Sequence, residues 1–146
     1  MLIDGYHPTH GGAIYNTGTL TISDSIISGN QVGVSGSSAT TVGGAISNSG
    51  TLLITNSTLS GNLAHGQGYG GCVDNGANPP SILTITNSTF SGNSAGSLGG
   101  CISNGSTLVI TNSTLSSNAA STGGGIYNYG GTITLTNSTL SDNQAY

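Results

Sequence analysis

Gly43-Gly44-Ala45-Ile46-Ser47-Asn48, Thr51-Leu52-Leu53-Ile54 and Ser57-Thr58-Leu59-Ser60-Gly61-Asn62 carry the pattern that decides the fold. Within each run apolar residues alternate with small polar ones, the period of a half-buried strand, and Asn or Gly marks the corners. The same trio recurs along the whole chain. Gly11-Gly12-Ala13-Ile14-Tyr15-Asn16 precedes it, and Gly70 to Asn75, Gly99 to Asn104 and Gly123 to Asn128 follow. The second run starts again at Thr19, Ile82, Thr107 and Thr132, and the third ends at Asn30, Asn93, Asn118 and Asn143. From Leu20 to Leu52, Leu83, Leu108 and Ile133 the steps are 32, 31, 25 and 25 residues. The minimal repeat therefore has 25 residues, and the longer steps hold insertions such as Gly33 to Val42 and Ala77-Asn78-Pro79-Pro80.

Three short strands cannot close a core alone, but stacked coils can, because every strand then pairs with its equivalents above and below. The repeat predicts an all-β, right-handed parallel β-helix of about five coils with three short strands each; parallel crossovers are nearly always right-handed. Residues 11–146 make the five coils, and residues 1–10 a leading partial coil or tail. With rungs about 4.8 Å apart, five coils form a rod on the order of 24 Å long.

The period of two assigns side chains to the inside. Leu20/Ile22, Leu52/Ile54, Leu83/Ile85, Leu108/Ile110 and Ile133/Leu135 form one interior column, and Ile14, Ile46, Val73, Ile102 and Ile126 a second. Ile27, Leu59, Phe90, Leu115 and Leu140 form a third. Two corner ladders are expected, one of Asn16, Asn48, Asn75, Asn104 and Asn128 and one of Asn30, Asn62, Asn93, Asn118 and Asn143. Stacked Asn side chains hydrogen-bond along such an axis and satisfy corner backbone.

Composition agrees and excludes several roles. The 146 residues include 26 Gly, no Lys or Arg and four Asp, with a net charge of −4. Charged residues are 3% of the chain, against roughly 25% in ordinary domains. Without a basic side chain there is no nucleic-acid footprint, and no apolar run reaches the roughly 18 residues of a membrane span. An enzyme is not expected. Glycosidase chemistry needs two carboxyls about 5–9.5 Å apart, and no two of Asp4, Asp24, Asp74 and Asp142 share a face and a neighbouring coil. His7 and His10 lie in the tail and His65 in an insertion, and no catalytic, cofactor or metal set assembles from these positions.

The Gly-Gly-Ala-Ile runs together with Phe90-Ser91-Gly92-Asn93 resemble the paired GGAI and FxxN repeats of polymorphic outer-membrane proteins. The wording Gly-Ile-Tyr-Asn…Thr-Ile-Thr-Leu-Thr-Asn-Ser-Thr is also similar to β-helix repeats of secreted bacterial surface proteins. The resemblance runs from about Gly11 to Asn143 and implies a secreted or cell-surface passenger used for adhesion or display. Met1-Leu2-Ile3-Asp4 does not read as a signal peptide. The expected partner is the chain itself, end to end as an adhesin stalk or filament, or the rest of a longer solenoid.

Three surface features remain. Cys72 and Cys101 share one motif position in adjacent coils, where Cα atoms about 4.8 Å apart suit a disulfide; two reduced small side chains fit equally. Asn56, Asn87, Asn112 and Asn137 each open an Asn-Ser-Thr glycosylation sequon, and Asn104-Gly105-Ser106 is a fifth; a corner that favours Asn, Ser and Thr for their hydrogen bonds explains the wording as well. Thr55, Thr86, Thr111 and Thr136 align outward below Ser23, a column that suits lateral binding of ice or carbohydrate, although Thr is also the default exposed strand residue.

Overall fold

The computed structural model describes residues 1–76 and 78–146; Ala77, at the start of one insertion, lies outside the described residues. Every regular element among the described residues is a strand. The first sheet stacks Ile14–Asn16, Ile46–Asn48, Val73–Asn75, Ile102–Asn104 and Ile126–Asn128. The second stacks the five-residue strands Thr19–Ser23, Thr51–Thr55, Ile82–Thr86, Thr107–Thr111 and Thr132–Thr136. A third contains Leu2–Ile3, Ile26–Ser28, Thr58–Ser60, Thr89–Ser91, Thr114–Ser116 and Thr139–Ser141. All pairings are parallel and in repeat register, as in Leu20↔Leu52, Leu52↔Leu83, Leu83↔Leu108 and Leu108↔Ile133.

A fourth sheet corrects the expectation of three strands per coil. Tyr6–His7, Gln31–Val32, Leu63–Ala64, Ser94–Ala95, Ala119–Ala120 and Gln144–Ala145 stack directly after the second Asn corner. Each has two residues, too few to show a period of two in the sequence. Residues 1–10 supply half a rung on the third and fourth sheets, with Leu2 paired to Ile27 and Tyr6 to Gln31. The Gly33 to Val42 insertion and the lengthened segment before Gly70 add a short side sheet of Thr40–Val42 and Gln67–Tyr69.

The three aliphatic columns form one continuous core, and Ala45, Cys72 and Cys101 belong to it. Val32, Ala64, Ala95 and Ala120 form a separate, narrower core behind the fourth sheet, which the sequence reading did not separate out. The glycine pairs explain how narrow this lobe is. Gly43 has φ +67°, open to glycine without strain, and a Cβ on Gly44 would stand 2.7 Å from the backbone of Leu63 and closer still to the carbonyl of Gly71. The first glycine turns the chain, and the second lets two rungs and the fourth sheet approach. Leu135 and Leu140 hold the inward column positions but are 47% and 43% exposed, because the fifth rung is covered from one side only.

Both Asn ladders form. Along the first, Asn16 Nδ2 donates to Asn48 Oδ1 at 2.7 Å, and Asn48, Asn75 and Asn104 repeat the bond to the next rung at 2.7–2.8 Å. Along the second, Nδ2 of Asn30, Asn62, Asn93 and Asn118 donates to the next Oδ1 at 2.9–3.0 Å. That Oδ1 also accepts the backbone N–H of the Asn before it, as from Asn62 N to Asn93 at 3.0 Å. The second Nδ2 proton goes to a strand carbonyl, as from Asn93 to Leu59 at 3.2 Å. Each buried amide thus fills its capacity from the neighbouring rungs, where an unmade bond would cost about 1–3 kcal/mol. Asn93→Ala strands donors on Asn62 and acceptors on Leu59 and Asn118. Urea unfolding should show a loss of about 3 kcal/mol or more, whereas Asn143→Ala on the last rung should cost about 1 kcal/mol.

Candidate functional site

The sequon corner has a structural account for each residue. Asn56, Asn87, Asn112 and Asn137 have φ between 47° and 50°, and Asp24 has φ 49°. This left-handed conformation suits Asn and Asp. The following serines form a ladder that sequence reading missed. Ser57 Oγ donates to Thr55 O at 2.7 Å and accepts Ser25 N at 3.1 Å, and Ser88, Ser113 and Ser138 repeat the arrangement. The four asparagines are exposed. With rungs about 4.8 Å apart, neighbouring sequons stand too close for every one to carry a glycan.

Thr55, Thr86, Thr111 and Thr136 stack in register on the outer face of the second sheet. The adjacent outward column reads Thr21, Leu53, Thr84, Val109 and Thr134 in register. Leu53 and Ile82 are exposed apolar breaks in this surface, so it is a mixed Thr/aliphatic plane.

Cys72 and Cys101 stack in adjacent rungs as buried, free thiols. Asn62 Nδ2 donates to Cys72 Sγ at 3.8 Å. Burial pushes both thiols well above the ordinary range, and the charge of Cys72 raises Cys101 further. Neither is a ready nucleophile at neutral pH, because the thiolate is the reactive form. At the tail, His7 and His10 have ring centroids 6.4 Å apart, and His10 lies 5.5 Å from Tyr15. His7 Nδ1 accepts the backbone N–H groups of Thr9 and His10 at 3.2 and 3.0 Å, which leaves Nε2 as its free ring nitrogen. Among the described residues no group of three or more His, Cys, Asp or Glu side chains is placed to hold a metal ion.

The most unusual chemistry lies elsewhere. Tyr15, Ser47, Asp74, Ser103 and Tyr127 occupy one outward position of the first sheet in successive rungs. Asp74 is 6% exposed, and among the described residues neither its Oδ1 nor Ser103 Oγ has a hydrogen-bond partner. Burial lifts the carboxyl from the usual 3.8 to about 7, with the nearby Ser103 hydroxyl offsetting part of the rise. Tyr129 lies over this place. Its phenol is raised mainly by burial and then by the charge of Asp74, lowered by Ser103, and raised by Tyr69. Tyr127 and Tyr129 stack with centroids 6.1 Å apart and planes 22° off parallel. The only sequence signal was an Asp where other copies have Ser or Tyr. Its burial could not be read from the repeat.

A family described as right handed beta helix region matches residues 42–146. This chain belongs to the right-handed β-helix family. No curated protein and no solved structure matches it. The family match and the uniform register make the chain a structural repeat protein of right-handed coils.

The buried carboxyl gives a pH prediction. Between about pH 4 and pH 7 the native state keeps a proton on Asp74 that the unfolded chain releases. Stability therefore falls as pH rises through that window and levels off above it. Asp74→Asn should remove the slope, leaving the variant more stable than the parent by a few kcal/mol at about pH 8 and near parity at about pH 4. Chemical denaturation across that range measures both.

Proposed function

We propose that the chain works as a non-catalytic rod outside the cell, a stalk or filament segment whose axial neighbours are further rungs. The carrying observation is that the interior columns and both Asn ladders run in unbroken register from rung to rung, a pattern that further rungs of the same kind continue. Sheet edges with unpaired backbone groups favour more strands of the same kind. The resemblance to secreted surface passengers supports the extracellular setting, and the absence of Lys and Arg fits a surface built from backbone pairing and hydroxyls. The four Asp residues are dispersed through the repeat, which supports the non-catalytic reading.

The ends suggest how a second copy would join. Its Leu2–Ile3 and Tyr6–His7 can extend the third and fourth sheets beyond Thr139–Ser141 and Gln144–Ala145. On the first and second sheets this leaves a notch one rung high, since those begin at Ile14 and Thr19. The contact is heterologous and does not close on itself, but pairs only half of each rung. Association is therefore reversible and concentration-dependent.

Negative-stain microscopy and light scattering over a wide concentration series test this. Unbranched fibres or lengthening rods are expected. Leu140→Asp, which places a charge on the end surface, should leave the circular dichroism spectrum intact and cut the association at least tenfold. Thr84→Asp on the lateral face should have no such effect. Discrete particles at every concentration, unchanged by Leu140→Asp, would overturn end-to-end stacking.

A further inference from the structure

Tyr6, His7, His10 and Tyr15 wall a cavity of about 560 Å³ whose lining Gly11, Gly12 and Ala13 complete. That volume lies in the range of small-ligand sites. The rings do not form a platform. His7 and His10 meet at 68°, and His10 and Tyr15 at 47°, so they stand as the walls of a box. A flat ligand stacks on parallel aromatic faces, whereas rings set at steep angles enclose a rounded group.

The imidazole of His7 is fixed in one state. Its Nδ1 accepts the N–H groups of both Thr9 and His10, so the ring is neutral and carries its proton on Nε2. That tautomer leaves no ring lone pair for a metal ion, and an uncharged ring does not repel a cation.

The backbone gives the cavity a sign. At the glycine corner the four successive N–H groups of Gly11 to Ile14 all donate toward the next rung, to carbonyls of Val42, Gly43, Gly44 and Ala45. Gly43 to Ile46, Gly70 to Val73 and Gly99 to Ile102 do the same. Strand peptides alternate in direction and largely cancel, but these align along the rod and add. Each peptide dipole is about 3.5 D, and an aligned stack leaves negative partial charge at its carbonyl end. That end is Gly11 to Ala13, in the cavity lining. Among the described residues none of their carbonyls accepts a hydrogen bond. The chain as a whole has the same sign, a net charge of −4 with no Lys or Arg. Tilted aromatic walls and a negative backbone end suit a rounded, weakly hydrated cation.

We propose that this cavity binds a quaternary ammonium group, with its methyls against the rings of Tyr6, His10 and Tyr15 and its charge toward the carbonyl end of the glycine column. The cavity opens on the first-sheet side of the rod, where end-to-end stacking leaves its notch, so neither reading depends on the other.

The test is an NMR titration of dilute Leu140→Asp protein, which keeps self-association out of the measurement, with tetramethylammonium and with choline. Both should give saturable shifts of backbone amide signals centred on Gly11, Gly12 and Tyr15. The uncharged isostere 3,3-dimethylbutan-1-ol has the shape of choline and should bind about tenfold more weakly or not at all. Tyr15→Phe keeps the ring and should bind as the parent does, whereas Tyr15→Leu and Tyr6→Leu should each weaken binding about tenfold. Both tyrosines are 58% exposed, so the urea midpoint should not move. Tyr146→Ala, at the other end of the rod, should leave binding unchanged. Should a Tyr15 variant fail to fold, Tyr6→Leu and Tyr6→Phe decide on the same grounds. Phosphatidylcholine vesicles separate the sources of the group: cosedimentation assigns a lipid headgroup, and choline binding without it assigns a free solute. No saturable shift with either cation would overturn the proposal. So would equal binding of choline and its isostere, or binding that survives both leucine substitutions. None of these outcomes bears on end-to-end stacking, which the fibres test separately.

Discussion

A buried amide whose main partner is its own twin one rung away is the constraint on which this molecule depends. The two Asn ladders work only if successive coils stay in register, because Oδ1 and Nδ2 must meet at 2.7–3.0 Å on every rung. A slip of one residue would bury a polar side chain without partners and turn each apolar column to the outside. The insertions therefore bulge at the corners, and the strands they separate keep the same pairing. The steps of 32 and 31 residues leave Leu52↔Leu83 as well aligned as the 25-residue steps leave Leu83↔Leu108.

That constraint also accounts for the composition. A core three columns wide needs few apolar residues, and corners in left-handed conformations need Asn, Asp and Gly. Hydroxyls then supply a third ladder from Ser57 to Ser138. Charged side chains have no place inside a rod this thin, because burying one costs far more than burying a paired amide. Asp74 is the exception. It keeps its position by holding a proton up to about neutral pH.

Much of the fold was legible in the sequence. Leu20/Ile22 and their successors, the Ile14 and Ile27 columns and both Asn ladders follow from alternation at fixed repeat positions, and each lies where that period puts it. The candidate sites were less legible. The sequons at Asn56 to Asn137 read either as modification signals or as a corner that favours Asn, Ser and Thr, and the turn conformation with the serine ladder gives the second reading its structural basis. The fourth sheet was missed because two residues carry no periodicity. Asp74 was read as an isolated strand residue, since nothing near it in sequence covers it.

Sequence alone determined the repeat, the strand faces and the axial register, because these depend on spacing between equivalent residues and on local hydrogen-bonding chemistry. Tertiary structure decided the shape of the cross-section: the second, narrow core of Val32, Ala64, Ala95 and Ala120, the side sheet of Thr40–Val42 and Gln67–Tyr69, and the burial of Asp74 and Ser103. These depend on where the glycine and insertion corners direct the chain in space. That direction is a property of the closed coil as a whole, which no single repeat specifies.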